Sequence, residues 1–178
     1  MLTKAGIEQY FIAEKNAGML LLITGAAAII IAVAFFFFLK APMYKGAPWP
    51  LIILGTVQMA TGYSVYTKSD KQRINIVYAY DMNPDKLRTE ELPRMEKAVK
   101  GITVFLVLEF ILLAAGMVLL WTNRSFFVNM QTGNAAFWTG AGIILIMQSL
   151  LLSGIDYSAH KRGSAYREQL RQKTSSVR

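Results

Sequence analysis

The amino-acid sequence predicts an all-α integral membrane protein whose four transmembrane helices form an up-and-down bundle. Hydrophobic residues make up 54% of the 178 positions and charged residues only 17%, a balance typical of membrane proteins. Apolar stretches of about 20 residues, the length that crosses a bilayer, occur four times along the chain. Basic residues are concentrated in alternate segments between these stretches, as expected when a chain crosses a membrane repeatedly.

The four predicted spans cover residues 17–39, 49–67, 101–121 and 137–155. The first is longer than the apolar part of a signal peptide, about 7 to 15 residues, and follows a polar start, so we expect it to be retained. With the intervening residues 68–100, the spans make up one bundle, residues 17–157.

The distribution of Lys and Arg predicts the orientation of the chain. Two basic residues precede the first span, eight lie between spans two and three, and six follow span four. The other two loops contain only Lys40, Lys45 and Arg124. The positive-inside rule therefore predicts a multi-pass protein with both termini in the cytoplasm, in a plasma membrane or a bacterial inner membrane. The tryptophans fall at the opposite, outer ends of spans, as aromatic residues at a headgroup boundary do: Trp49, Trp121 and Trp138.

Residues 68–100 are predicted to extend spans two and three into the cytoplasm as helices. Asn83, Pro84 and Asp85 form a typical helix start, and Pro93 offers a second one. Residues 73–82 show both strand and helix periodicity. We favour a helix continued from span two, because a lone strand would have no partner. Its Ile and Tyr side chains either dock a partner or pack against the chain's own helices.

The two ends of the chain are predicted to associate with the membrane surface. Residues 1–16 place Ile7, Tyr10 and Phe11 on one helical face, which is typical of an amphipathic arm lying in the interface. Residues 158–178 form a basic tail that would attract anionic lipid, and we expect it to be a helix that frays near Lys173. The lipid bilayer accounts for the positive charge, and no nucleic-acid partner is expected.

A layer of polar residues is predicted inside the bundle. Glu109 is a charged residue near the middle of span three, where an ionised group costs several kcal/mol unless it is paired, protonated or facing water. Counting from the cytoplasmic ends of the other spans places three more polar residues at a similar depth, about 10 to 14 Å at 1.5 Å per residue: Gln58, Gln148 and Thr24. Glu109 either holds the bundle together as a neutral carboxyl group or forms a proton or cation site with the two glutamines.

A second polar stripe follows span four towards the cytoplasm. Its members are Ser149, Ser153, Asp156 and His160. The stripe is either a water-accessible path or a set of hydroxyl groups bonded within their own helix. Asp156 and His160 could act as an acid and base, although an exposed pair one helical turn apart is the simpler interpretation.

Several classes of function find little support in the sequence. The absence of cysteine excludes disulfides, thiolate metal sites and a cysteine nucleophile, and a single histidine argues against haem or a multi-histidine metal centre. No catalytic motif is present, and no cofactor is expected.

We therefore expect the protein to be a non-enzymatic structural or partner-binding subunit of a membrane assembly. The alternatives are a small ion or proton channel or transporter using Glu109, and an enzyme acting on lipid or another apolar substrate. Two helical faces carry small residues, which favour close helix packing and association with a second copy or with another membrane protein. They comprise Gly18, Gly25, Ala28 and Ala32 on span one and Gly55 and Gly62 beside Gln58 on span two.

Overall fold

The computed structural model describes residues 2–129 and 133–175. Its helices are α1 (Lys4–Phe38), α2 (Pro42–Gly46), α3 (Pro48–Met82), α4 (Leu92–Thr122), α5 (Ser125–Asn129) and α6 (Asn134–Ser175), and a π-helical segment, Leu87–Glu91, leads into α4. The described residues contain no strand, so the all-α prediction is confirmed. The predicted second outer loop and basic tail include residues 130–132 and 176–178, which lie outside the described residues.

Within the described residues, three helical segments are long and apolar enough to cross a membrane. They are Lys4–Phe38, Leu87–Thr122 and Asn134–Ser175, and they indicate that the protein is associated with a membrane. Helix α3 is not among them, because its apolar part, residues 49–67, contains Gln58 and several Thr, Tyr and Gly residues. The count of four spans and the orientation of the chain stay predictions.

Two of the long helices, α3 and α6, begin beside a proline or a glycine. Helix α3 starts at Pro48 and ends one residue before Asn83, so residues 73–82 are helical as predicted. Gly133, which precedes α6, has a φ of 106°, a left-handed conformation that glycine adopts without steric cost. The helices therefore extend beyond the apolar stretches that hydropathy predicts.

The π-helical segment precedes a proline in the first turn of α4. Pro93 has no N–H to donate to a carbonyl group four residues earlier. The N–H of Leu92 bonds to the carbonyl of Leu87, five residues earlier. This widened turn joins residues 85–91 to α4 without a break, and segments of this kind often occur at functional sites.

The chain packs as two compact units, and each unit takes part of every long helix. The first unit contains the described residues up to Leu20, Gly62–Leu106 and the described residues from Ile155 onwards. The second unit contains Leu21–Thr61 and Val107–Gly154.

The first unit has a core of large side chains. It is made of Leu2, Ile7, Phe11, Ala79, Leu87, Met95, Val99, Tyr166 and Leu170. Residues 4–16 form the first turns of α1, and α6 continues to Ser175. The association of the arm and the tail with the membrane surface stays a prediction. The apolar face of the arm packs against other helices of the protein, where burial removes it from water as effectively as a membrane interface would.

In the second unit, small residues bring helix backbones close together. A Cβ atom added at Gly25 of α1 would lie 2.7 Å from the carbonyl oxygen of Gly55 in α3. In the same way, a Cβ atom at Gly116 of α4 would lie 2.9 Å from the carbonyl oxygen of Gly142 in α6. Such close approach is typical of helix packing in membranes. The hydrophobic effect does not drive association there, and small residues allow the close van der Waals packing that does. The small-residue faces are thus used for packing within the chain.

Candidate functional site

Two of the four residues of the predicted polar layer are in direct contact. The side-chain Nε2 of Gln58 donates a hydrogen bond of 2.9 Å to Oε1 of Gln148. The two side chains are only 3% and 8% exposed. The bond joins α3 to α6 and pairs one polar group of each amide, whereas an unpaired buried group costs about 1 to 3 kcal/mol.

Glu109 lies on the buried face of α4. It is 5% exposed and belongs to the same compact unit as Gln58 and Gln148. Gly116, two turns further along α4, is also buried, whereas Leu108 and Phe110 on either side of Glu109 are exposed apolar residues. In a bilayer this arrangement turns the carboxyl group towards protein and the apolar side chains towards lipid.

Thr24 and Ser153 form hydrogen bonds within their own helices. The hydroxyl of Thr24 donates to the carbonyl of Leu21 at 3.2 Å, and that of Ser153 donates to the carbonyl of Leu150 at 3.1 Å. Local bonds of this type are common for hydroxyl side chains in membrane helices. The hydroxyl group of Thr24 is thus bonded within α1, and its predicted place in the polar layer stays a prediction.

The predicted polar stripe on α6 changes in burial along its length. Ser149 is buried, and Ser153, Asp156 and His160 are half-buried. The Oγ atom of Ser149 has no hydrogen-bond partner among the described residues. The stripe lies on a single uninterrupted helix, and its role as a path stays a prediction.

The structure reveals a partly buried ion pair in the first unit that the sequence analysis did not single out. Glu91, in the π-helical segment, is 1% exposed. Nε and a terminal nitrogen of Arg94 donate to its two carboxylate oxygens at 2.7 and 2.8 Å, and another terminal nitrogen donates to Oε1 of Gln72 at 3.3 Å. Bidentate pairs between arginine and a carboxylate are among the stronger charge-assisted interactions in proteins.

Aromatic side chains enclose this ion pair. The rings of Tyr10 and Tyr166 are stacked with centroids 4.2 Å apart, and the Arg94 guanidinium lies 5.4 Å from the centroid of Phe11. The hydroxyl of Tyr10 donates to the sulfur of Met95 at 3.5 Å. Residues from α1, α4 and α6 thus form a compact polar cluster at the centre of an apolar core.

Burial changes the acidity of the groups in this cluster. Burial raises the pKa of Glu14, although the nearby Arg94 guanidinium opposes the shift. It also raises the pKa of Tyr10 and Tyr166, helped by neighbouring carboxylates. For Arg94, burial acts against the charged form, but the hydrogen bonds to Glu91 and the negative charges of Glu91, Glu14 and Tyr10 together outweigh it, and the pKa lies above its usual value. The cluster therefore keeps Arg94 charged and favours neutral Glu14 and tyrosines.

The sequence contains only a weak signal for this cluster. Glu91 and Arg94 are three residues apart, a spacing at which opposite charges interact on a helix. Such pairs are normally exposed. The burial of this one depends on Tyr10 and Tyr166, which are far away in the chain.

A row of exposed apolar residues lies on the last turns of α3. Ile74, Tyr78 and Met82 are between 63% and 68% exposed. The neighbouring Ala79 is buried in the core of the first unit, and Tyr80 packs against that core. One face of α3 is therefore used for packing within the chain, and this second face is left exposed.

These observations describe a membrane-associated, all-helical protein with buried polar groups in both compact units. When the chain was compared with known proteins, it matched no protein-family model, no curated protein and no solved structure.

Proposed function

We propose that the protein is a non-enzymatic, partner-binding subunit of a membrane assembly, that it crosses the membrane four times, and that both its termini are cytoplasmic. Two features of the sequence support this topology. The segments assigned to the cytoplasm contain all but three of the 19 basic residues. All three tryptophans are assigned to the outer boundary.

The observation that carries the proposed function is the exposed row Ile74, Tyr78 and Met82, which we term the docking face. At about 1.5 Å per residue, it extends from roughly 10 to 22 Å beyond the predicted inner boundary at Thr67. Lipid hydrocarbon does not reach that distance, so these side chains would face water in the isolated chain. Exposed apolar rows bordered by polar residues mark sites where proteins interact.

The charge beside the docking face favours a partner different from the chain itself. Lys71 is three residues before Ile74 and therefore lies on the same side of α3. Two copies paired in parallel along this face would bring their Lys71 ammonium groups together, and like charges in an interface cost free energy. The acidic neighbour Asp70 is paired with Lys15 and Arg73, and Asp81 is paired with Lys4. The docking face therefore presents three apolar side chains and, beside them, the positive charge of Lys71.

The partner that fits these properties is an amphipathic helix of another subunit with a carboxylate group opposite Lys71. Apolar anchors at intervals of three or four residues are typical of helix recognition. The carboxylate would add orientation and specificity to apolar contacts that are themselves non-directional.

Site-directed photo-crosslinking in native membranes tests this proposal. A photoreactive amino acid placed at Ile74, Tyr78 or Met82 should give one common adduct with a different membrane protein. Tyr157 is the matched control, because it is 64% exposed compared with 65% for Tyr78, and it should not give this adduct. Lys71→Glu should reduce the yield about tenfold, equivalent to about 1.4 kcal/mol, whereas Lys71→Arg should retain it.

The mass of the complex, measured on purified wild type, decides between a defined assembly and accidental capture. A stoichiometric complex that Lys71→Glu dissociates supports the proposal. An adduct with a second copy of the chain, equal adducts at Tyr157, or no adduct at the docking face would each overturn it.

A further inference from the structure

A cavity of about 420 Å³ opens in the second compact unit. Helices α3, α4 and α6 provide its walls through residues such as Leu54, Leu112 and Leu145, and all its lining residues are apolar. Its volume lies within the range of about 300 to 1,000 Å³ that is usual for small-molecule sites.

The lining excludes water as a stable occupant. An ordered water molecule needs two to four polar partners, and apolar cavities stay dry. No polar atom contributes to the accessible surface of this cavity. Two of its walls, α4 and α6, belong to helical segments that are long and apolar enough to cross a membrane, so the available apolar occupant is lipid hydrocarbon.

The cavity has a buried floor and an exposed rim. Gly46 and Ala141 are buried, whereas Trp49 and Trp138 are exposed. Tryptophan favours the boundary between hydrocarbon and headgroups, so an acyl chain entering past these rings would leave its headgroup at their level. Lys45, which is exposed and directly precedes the lining residue Gly46 in α2, places a positive charge beside the cavity.

We propose that this cavity binds one acyl chain of an anionic phospholipid, with the headgroup held near Lys45. The apolar lining contacts the chain, and the ammonium group selects the negative headgroup charge over a zwitterionic one. The site is distinct from the docking face on α3 and does not depend on the partner proposed above.

Tryptophan fluorescence provides a direct test. In a Trp121→Phe background, the remaining tryptophans are the two at the rim of the cavity. Phosphatidylglycerol with brominated acyl chains, titrated into phosphatidylcholine bilayers that contain the protein, should quench this fluorescence and saturate at a low mole fraction. Quenching that only rises in proportion to the mole fraction would overturn the proposal.

Two variants block the cavity at different points. Ala141→Phe fills the buried floor, and Ile53→Phe narrows the mouth at a residue that is already 60% exposed, so its folding should be unaffected. Both should abolish the saturable quenching. Ile23→Phe is the matched control, because Ile23 is 55% exposed on α1 and does not line the cavity. Unchanged saturation in Ile53→Phe would overturn the proposal even if Ala141→Phe failed to fold.

The headgroup preference is tested with Lys45→Gln. This variant should require several-fold more brominated phosphatidylglycerol for half-saturation and leave the maximal quenching unchanged. Equal half-saturation by brominated phosphatidylcholine in the wild type, or no shift in Lys45→Gln, would overturn the assignment to an anionic phospholipid.

Discussion

Glu91 and Glu109 are both buried, but their surroundings differ. Glu91 is paired with Arg94 in a unit whose core contains large apolar side chains. Glu109 lies in a helix whose lipid-accessible surface is apolar, in the same unit as a bonded glutamine pair. A buried ion pair is strongly destabilised when one partner is removed, whereas single hydrogen bonds between membrane helices contribute about 0.6 to 2 kcal/mol. We therefore expect Glu109 to tolerate substitution better than Arg94.

Glu109→Gln tests whether this residue is structural or part of a transport path. With a structural role, wild type and variant reconstituted in liposomes should both show no proton or ion flux above protein-free liposomes. Glu109→Leu should lower the free energy of unfolding by about 1 kcal/mol, because it removes a hydrogen-bonding group from the buried face. Flux in the wild type that Glu109→Gln abolishes, at equal insertion, would instead establish a channel or transporter.

The raised pKa of Glu14 predicts a pH dependence of stability. Because burial raises this pKa in the folded state above the ordinary value of 4.5, the folded protein binds the proton more tightly than the unfolded chain does. Stability from this group should therefore be greatest below pH 4.5 and should fall as the pH rises through the folded-state pKa. The nearby Glu91, Arg94 and Tyr10 also act on this group.

Glu14→Gln should remove this part of the pH dependence, measured as the unfolding midpoint at a series of pH values above 4.5. Glu8→Gln, at an exposed position on the same helix, should leave the profile unchanged. The same slope in wild type and Glu14→Gln would show that Glu14 is not responsible.

The sequence allowed part of the candidate site to be predicted. Because the rise of an α-helix is constant, counting residues from the predicted span ends placed Gln58 and Gln148 at one depth, and the structure joins them by a hydrogen bond. The Glu91–Arg94 cluster could not be found in this way. Its burial requires α1 and α6 to contribute Tyr10 and Tyr166, and no local pattern encodes that packing.

At the scale of helices, hydropathy predicted where apolar stretches lie but not where the helices begin and end. The predicted first span covers residues 17–39, whereas α1 begins at Lys4. Lipid crossing requires only about 20 apolar residues, and residues 4–16 contain no proline that would interrupt a helix. The helix ends were better indicated by proline and glycine, at positions such as Pro48 and Gly133.

The contact between α1 and α3 should be sensitive to a single methyl group. Gly25→Ala would place a Cβ atom 2.7 Å from a backbone oxygen of Gly55, so the helices must separate, at a cost of about 1 to 3 kcal/mol. Gly101→Ala is the control, because a Cβ atom there meets no atom within 4 Å. It should be neutral or stabilising by up to about 1 kcal/mol. Unfolding in mixed micelles measures both, and equal stability of the two variants would contradict this packing.

At the scale of the whole molecule, the open question is whether α3 crosses the membrane. The chain contains no cysteine, so single cysteines introduced at Thr3, Lys45, Asn83 and Ser175 can be labelled selectively. With four spans, a membrane-impermeant maleimide applied from outside should label only Lys45→Cys. If α3 does not cross, Asn83→Cys should be labelled together with Lys45→Cys, and Ser175→Cys should lie on the side opposite Thr3→Cys.

The composition of the first unit has a consequence for how the protein is made. Its core joins Ile7 and Phe11, near the start of the chain, to Tyr166 and Leu170 in the last described helix. During synthesis the early residues leave the ribosome well before their partners exist. Until α6 has been translated, they must be shielded by a chaperone, the insertion machinery or the membrane surface. A nascent chain that stalls before Tyr166 would keep these residues exposed and would be a ready substrate for proteolytic quality control.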